Sequence, residues 1–283
     1  MNLSHLRAVA LSVFAVGCSS STQTAPSSNV VTIAADDFAF GMPDTIPAGR
    51  TTFRLVNRGR EPHQAVIMGA PGKGLAELEA AAVPKGPVPE WWRAFLQLQP
   101  TFPGGPGVVV SGDSSVVVVD LAPGNYVVVC FVPSPDGKMH AQKGMVRRLV
   151  VTPAPSAATA AAEPKSDVTV TLSDFAFATS APLTAGTHTI RVENSGPQPH
   201  ELTIERLGPG KTLADWQRWV SGGMRGEPPS IPVGGLAGPD KGKVGWVTVT
   251  FTPGNYLFLC YVPDANDGNP HFVHGMVQQV TIS

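Results

Sequence analysis

The feature that most limits how this chain can fold is that it is written twice. Asp37-Phe38-Ala39-Phe40 returns as Asp174-Phe175-Ala176-Phe177, and Pro62-His63 as Pro199-His200, both pairs at the same offset. Pro123-Gly124-Asn125-Tyr126 and Cys130-Phe131-Val132-Pro133 return at a shorter common offset as Pro253-Gly254-Asn255-Tyr256 and Cys260-Tyr261-Val262-Pro263. The second copy has therefore lost seven residues between these landmarks. Gly144-Met145 is answered by Gly275-Met276. A tandem duplication in 283 residues predicts two similar units, each long enough to bury a core.

Composition decides what those units are made of. Hydrophobic residues are 42% and charged residues 14%, while 30 Gly and 28 Pro make up about a fifth of the chain. Many turn formers beside an ordinary apolar fraction argue for short strands. Period-two patterning predicts strands at 30–34, 52–57, 63–68, 114–121, 125–131 and 145–151, with counterparts that include 168–172, 188–194, 244–251 and 255–261. The fold class is all-β: two tandem Greek-key β-sandwiches, each with a short helical insertion. The insertions are marked by Trp92, Phe95 and Leu96, and by Leu213, Trp216 and Val220, at helical spacing. Such stripes are read as packing against the sandwich.

The first seven residues carry one positive charge, and 8–17 form a small apolar run that is too short to cross a bilayer. Ala15-Val16-Gly17-Cys18 resembles the lipobox of bacterial lipoproteins, which implies cleavage before Cys18 and its acylation. The expected organisation is a signal peptide (1–17), a lipid-anchored tether (18–28), domain 1 (29–152), an Ala/Pro-rich linker (153–166) and domain 2 (167–283). The protein is expected outside the cytoplasm, periplasmic or at the cell surface, touching the membrane through its anchor alone. With Cys18 assigned, Cys130 and Cys260 remain at equivalent places of separate domains, where a disulfide between them is not expected.

Strand alternation places Tyr126, Val128 and Cys130 on one face, and Tyr256, Phe258 and Cys260 likewise. Taken alone, each thiol reads as an inert packed cysteine. The combination says more. Each copy offers an early histidine (His63, His200), the cysteine, a later histidine (His140, His271) and a methionine five residues on (Met145, Met276). Two imidazoles, a thiolate and a thioether suit copper with a weak axial sulfur, whereas zinc seldom recruits Met.

Over nearly all of both repeats the chain resembles the cupredoxins, the type 1 blue copper proteins. The resemblance is carried by Asn57-x-Gly59-x3-His63 and Asn194-x-Gly196-x3-His200, by Pro-Gly-Asn-Tyr-x3-Cys, and by His140-x3-Gly144-Met145 and His271-x3-Gly275-Met276. It implies one copper per domain, held by His63, Cys130, His140 and Met145 and by His200, Cys260, His271 and Met276. One departure stands out: nine residues separate Cys130 from His140 and ten separate Cys260 from His271, where family members usually have two to four. The added stretch holds Pro and Asp-Gly pairs, so it is expected to turn back on itself. His274 is an alternative ligand or a solvent-facing residue, and His188 is expected at the surface.

Net charge is −1 and there is no basic run, so nucleic acid is not expected as a partner. After His5 and the four assigned ligands, two histidines remain, and no His-x-His pair occurs. A trinuclear copper centre is not expected from one chain, and the protein is expected not to be an enzyme, although ligands pooled between subunits would escape this count. The expected role is single-electron transfer between redox partner proteins. The alternatives are copper buffering or delivery, and a metal-free binding or assembly module.

Overall fold

The computed structural model describes residues 29–155 and 161–283. The lipobox, Cys18, the tether and part of the linker lie outside them. In the first half the strands are β1 (Asn29–Asp36), β2 (Ala39–Gly41), β3 (Thr45–Pro47), β4 (Gly49–Asn57), β5 (Val66–Gly69), β6 (Ser114–Leu121), β7 (Gly124–Val129) and β8 (Val146–Thr152), with helices α1 (Leu75–Ala82) and α2 (Val88–Leu96) between β5 and β6. In the second half they are β9 (Val168–Ser173), β10 (Ala176–Thr179), β11 (Gly186–Asn194), β12 (Leu202–Leu207), β13 (Ser230–Leu236), β14 (Val244–Phe251), β15 (Gly254–Leu259) and β16 (Val277–Ile282), with α3 (Leu213–Ser221) between β12 and β13.

Each half is a two-sheet sandwich. One sheet is ordered β2-β1-β4-β6 in the first half and β10-β9-β11-β14 in the second; the facing sheets are β3-β8-β7-β5 and β13-β12-β15-β16. Alternation along the strands explains the layering: Thr51, Phe53, Leu55 and Asn57 of β4 are buried in turn. β7 is covered on both faces. Tyr126, Val128 and Cys130 enter the sandwich core, while Val127 and Val129 pack under the helices with Trp92 and Phe95. α3 does the same in the second half, where Trp216 meets Phe272 edge-on at 5.2 Å. The tryptophans are packing residues, as expected.

The Pro-Gly-Asn-Tyr motif closes a corner in both copies. Tyr126 donates its hydroxyl proton to Ala122 O (3.0 Å) and Tyr256 to Thr252 O (3.1 Å), fixing the entry to the strand that ends at the cysteine.

Two features differ from the pattern read in the sequence. The strand expected from His63 begins only at Val66, because Ala65 N–H is directed to Pro106 O in a loop, and His63 forms an isolated bridge with Val109. The halves are also not separate beads. β6 pairs antiparallel with β14, Val117 opposite Val247, so the two inner sheets fuse into one of eight strands. Glycine makes this approach possible beside the seam: Gly107 N–H donates to Gly235 O, and a Cβ on Gly107 would lie 2.9 Å from Gly235 backbone atoms.

Candidate metal centres

The Asn-x-Gly-x3-His segments are folded by their asparagines. Buried at the end of β4, Asn57 donates to Glu61 O (2.9 Å) and Val109 O (3.0 Å) while its Oδ1 accepts from Gly59 N–H (2.9 Å). Asn194 repeats this at the end of β11, with Gln198 O, Pro239 O and Gly196 N–H. The chain is thereby bent so that His63 and His200 point into their sandwiches, fully buried.

The long stretch between Cys and His is a small hairpin that closes on itself. Pro133 bridges Met139, Ser134 N–H donates to Lys138 O, His140 N–H to Val132 O (2.9 Å) and Ala141 N–H to Cys130 O (2.8 Å). In the second half Pro263 bridges Pro270, His271 N–H donates to Val262 O (2.9 Å) and Phe272 N–H to Cys260 O (3.0 Å). The excursion therefore leaves and returns at one point, and the later histidine arrives beside the thiol despite the added residues. Left-handed Gly144 and Gly275 then turn the chain into the methionines. Met145 N–H donates to His140 O and Cys130 N–H to Met145 O; Met276, His271 and Cys260 repeat the pattern. Both methionines are fully buried.

Three donors converge in each half. His63 Nδ1 lies 3.0 Å from His140 Nδ1, and Cys130 Sγ lies 3.9 Å and 3.4 Å from them. His200 Nδ1 and His271 Nδ1 are 2.9 Å apart, with Cys260 Sγ 3.3 Å from His271 Nδ1. With metal–nitrogen bonds of about 2.0 Å and metal–sulfur bonds of about 2.3 Å, donors spread around one ion stand about 3.3–3.5 Å apart. The observed spacings of 2.9–3.9 Å scatter around that range, and two nitrogens with one sulfur are the kind of donor set found in trigonal type 1 copper sites. One N–H is aimed at each sulfur, from Gln64 (3.5 Å) and Glu201 (3.3 Å). Burial pushes the Cys130 thiol up to about 12 and Cys260 well above its ordinary value, so an ion must displace the thiol proton. Burial pushes the His63, His200 and His271 imidazoles down, assisted in His63 by His140 and in His271 by His200; His271 falls to about 4. Neutral rings are what a metal needs.

The surroundings of the two trios differ. His140 Nε2 stands 2.9 Å from Glu61 Oε2, and the Glu61 carboxyl, pushed up by burial, is held low overall by His140 and Ser134. The equivalent of Glu61 is Gln198, and His271 Nε2 is buried with no hydrogen-bond partner among the described residues. Conversely, Gln64, Met68 and Phe131 are replaced by Glu201, Glu205 and Tyr261. Tyr261 O–H donates to Glu205 Oε1 and Ser230 O–H to Glu205 Oε2, while burial raises Glu201 to about 7. None of these carboxylates is visible as a site residue in the sequence, because none recurs in both copies.

The remaining histidines lie outside the trios. His274 stacks on Phe175 at 4.9 Å and lies 3.2 Å from Asp267 Oδ1. His188, expected at the surface, is largely covered, its Nε2 3.0 Å from Thr184 O and its ring against Phe251. Cys130 and Cys260 are free. No helix among the described residues is long and apolar enough to cross a membrane.

No protein-family model matches the chain, and no curated protein matches it. Among solved structures it is similar to a dithionite-reduced auracyanin from Roseiflexus castenholzii, at 22% identity over 44% of this chain and 98% of that one, TM-score 0.31. It is similar also to auracyanin A of Chloroflexus aurantiacus, a "blue" copper protein, at 20% identity over 44% and 100% of the two chains, TM-score 0.31. A blue copper oxidase from Nitrosomonas europaea is similar at 12% identity over 90% and 86%, TM-score 0.25. Sandwich order and donor placement make both halves cupredoxin-like. The expectation that the protein is not an enzyme is corrected by these comparisons, which also include a copper-containing nitrite reductase and a laccase. The histidine count behind it applied to one chain and cannot speak for a centre built between chains.

Proposed function

We propose that this protein binds one copper ion in each half, through His63, Cys130, His140 and Met145 and through His200, Cys260, His271 and Met276, and passes single electrons. The observation that carries the reading is the convergence, twice in one chain, of two Nδ1 atoms and one sulfur at metal-binding spacings inside a packed core. Copper supplies a couple that changes by one electron at these donors. The protein's own residues do the rest. Gln64 and Glu201 direct N–H groups at the sulfurs, the packed core excludes water, and backbone hydrogen bonds between the Cys, His and Met positions hold them in place. A rigid dry cage changes little between oxidation states, and its full burial is poorly suited to handing the metal on. The N-terminal sequence supports export and a lipid anchor at Cys18, which would place the sites near a membrane, within reach of redox partner proteins. Voltammetry of the copper-loaded protein tests the role: a reversible one-electron couple is expected, and tight Cu(I) binding with no such couple would contradict it.

A further inference from the structure

The Asp-Phe-Ala-Phe segments recur in both copies, yet nothing so far gives them a task. Each sits at the tip of a hairpin, β1–β2 or β9–β10, well upstream in sequence of the first histidine of its half. The structure brings them to the metal centres. Asp174 Oδ1 lies 2.5 Å from His200 Nε2, and Asp37 Oδ1 lies 3.5 Å from His63 Nε2. Both rings are fully buried, while the two aspartates remain partly exposed.

We propose that Asp174 and Asp37 are positioning residues for the metal centres: each faces the Nε2–H edge of the first histidine of its half and so keeps Nδ1 unprotonated and directed at the ion. The inference rests on the proposed metal-binding role of these histidines. Two further observations support it. The motif glycine lies directly beneath the pair: a Cβ on Gly196 would stand 2.6 Å from His200 Nε2 and 2.9 Å from Asp174 Oδ1, and one on Gly59 would stand 2.6 Å from His63 Nε2 and 2.4 Å from Asp37 Oδ1. Neither glycine has a positive φ, so it is space for the carboxylate and ring that calls for glycine there. The next residue of each hairpin covers the second ring, with Phe38 edge-on to His140 at 5.2 Å and Phe175 edge-on to His271 at 5.0 Å. One hairpin thus orients one imidazole and shields the other. A ligating histidine whose far N–H meets a carboxylate is fixed in tautomer and made more basic. The hydrogen bond is closed only in the second half, so the effect is larger there; at 3.5 Å His63 Nε2 makes no hydrogen bond among the described residues, and Asp37 Oδ1 accepts from the Arg60 and Glu61 amides.

The test uses the full chain carrying Cys130→Ser, which leaves the second centre alone to be read. Asp174→Ala is expected to weaken Cu(II) binding about 10–100-fold, with Asp174→Glu recovering part of the loss. In metal-free protein, nitrogen-15 spectra should show the His200 proton on Nε2, and Asp174→Ala should mix the two tautomers. Asp174→Asn keeps the shape and removes the charge, so it reads the same question if the alanine variant does not fold; a fall in Cu(II) affinity larger than that in Cu(I) affinity is expected. Unchanged affinity together with an unchanged His200 tautomer would overturn the inference. The tautomer is read without metal, so a protein that takes up no copper would refute the proposed function while leaving this measurement to decide the role of Asp174.

Discussion

At Gly59 and Gly196 a single methyl group decides the geometry of a centre, because an added Cβ would press on both the ring nitrogen and the carboxylate oxygen, 2.4–2.9 Å away. Gly196→Ala is therefore expected to lower Cu(II) affinity by about 10-fold or more, by displacing a ligand's hydrogen-bonded partner. Competition titration against a chelator measures this. Alanine at Gly74, where the backbone is extended and the added atom meets open space, should leave affinity unchanged. At this scale the residues that converge were legible and their neighbours were not. His63, Cys130, His140 and their second-copy equivalents announce themselves by residue type and recurrence. Asp37 and Asp174 also recur, but a long stretch of sequence separates each from its histidine, and only the fold removes that distance. Glu61 and Glu205 do not recur at all, so repetition could not mark them.

The hairpin between cysteine and second histidine is the element on which the site depended. Its length is unusual for the family the sequence resembles, and its Pro and Asp-Gly content predicted a turn-back, which the paired backbone groups of Val132 and His140 and of Cys130 and Ala141 show. Because those bonds lie at the base, the tip is expected to be dispensable for the convergence of the donors. Replacing Pro135-Asp136-Gly137 by Asn-Gly, which favours a tight hairpin turn, should leave the visible spectrum of the copper-loaded protein unchanged. A changed or lost band would show that the tip shapes the centre. Strands with strict alternation were legible, 114–121 and 244–251 to the residue. β13 was not, because Pro232, Gly234 and Gly235 interrupt any alternation, and the Gly235 backbone lies so close to Leu202 that a Cβ would strike its carbonyl.

The whole molecule is more than two copies side by side, which periodicity could not reveal: it reports the faces of a strand, while β6 and β14 join by their edges. The joint predicts that the chain cut by an inserted protease site between β8 and β9 still elutes as one particle; separation into halves would contradict the fused sheet. Asp240 belongs to the same joint, its Oδ2 accepting from Phe102 N–H (2.6 Å) and its own N–H donating to Phe102 O. Burial raises its carboxyl from 3.8 to about 6. Its contribution to stability is therefore full below about pH 3.8 and is lost as pH rises through about 6. Asp240→Asn should flatten the dependence of the melting temperature on pH across that window and raise the melting temperature above it. The central claim, that each half gathers two imidazoles and one thiolate around copper, is tested most directly by titrating the metal-free protein with Cu(II) while recording the visible spectrum. The account predicts an intense blue thiolate-to-copper band that saturates at one ion per half, loses one half's share in either Cys130→Ser or Cys260→Ser, and vanishes in the double variant. Copper uptake with no such band, or a band indifferent to both cysteines, would contradict it.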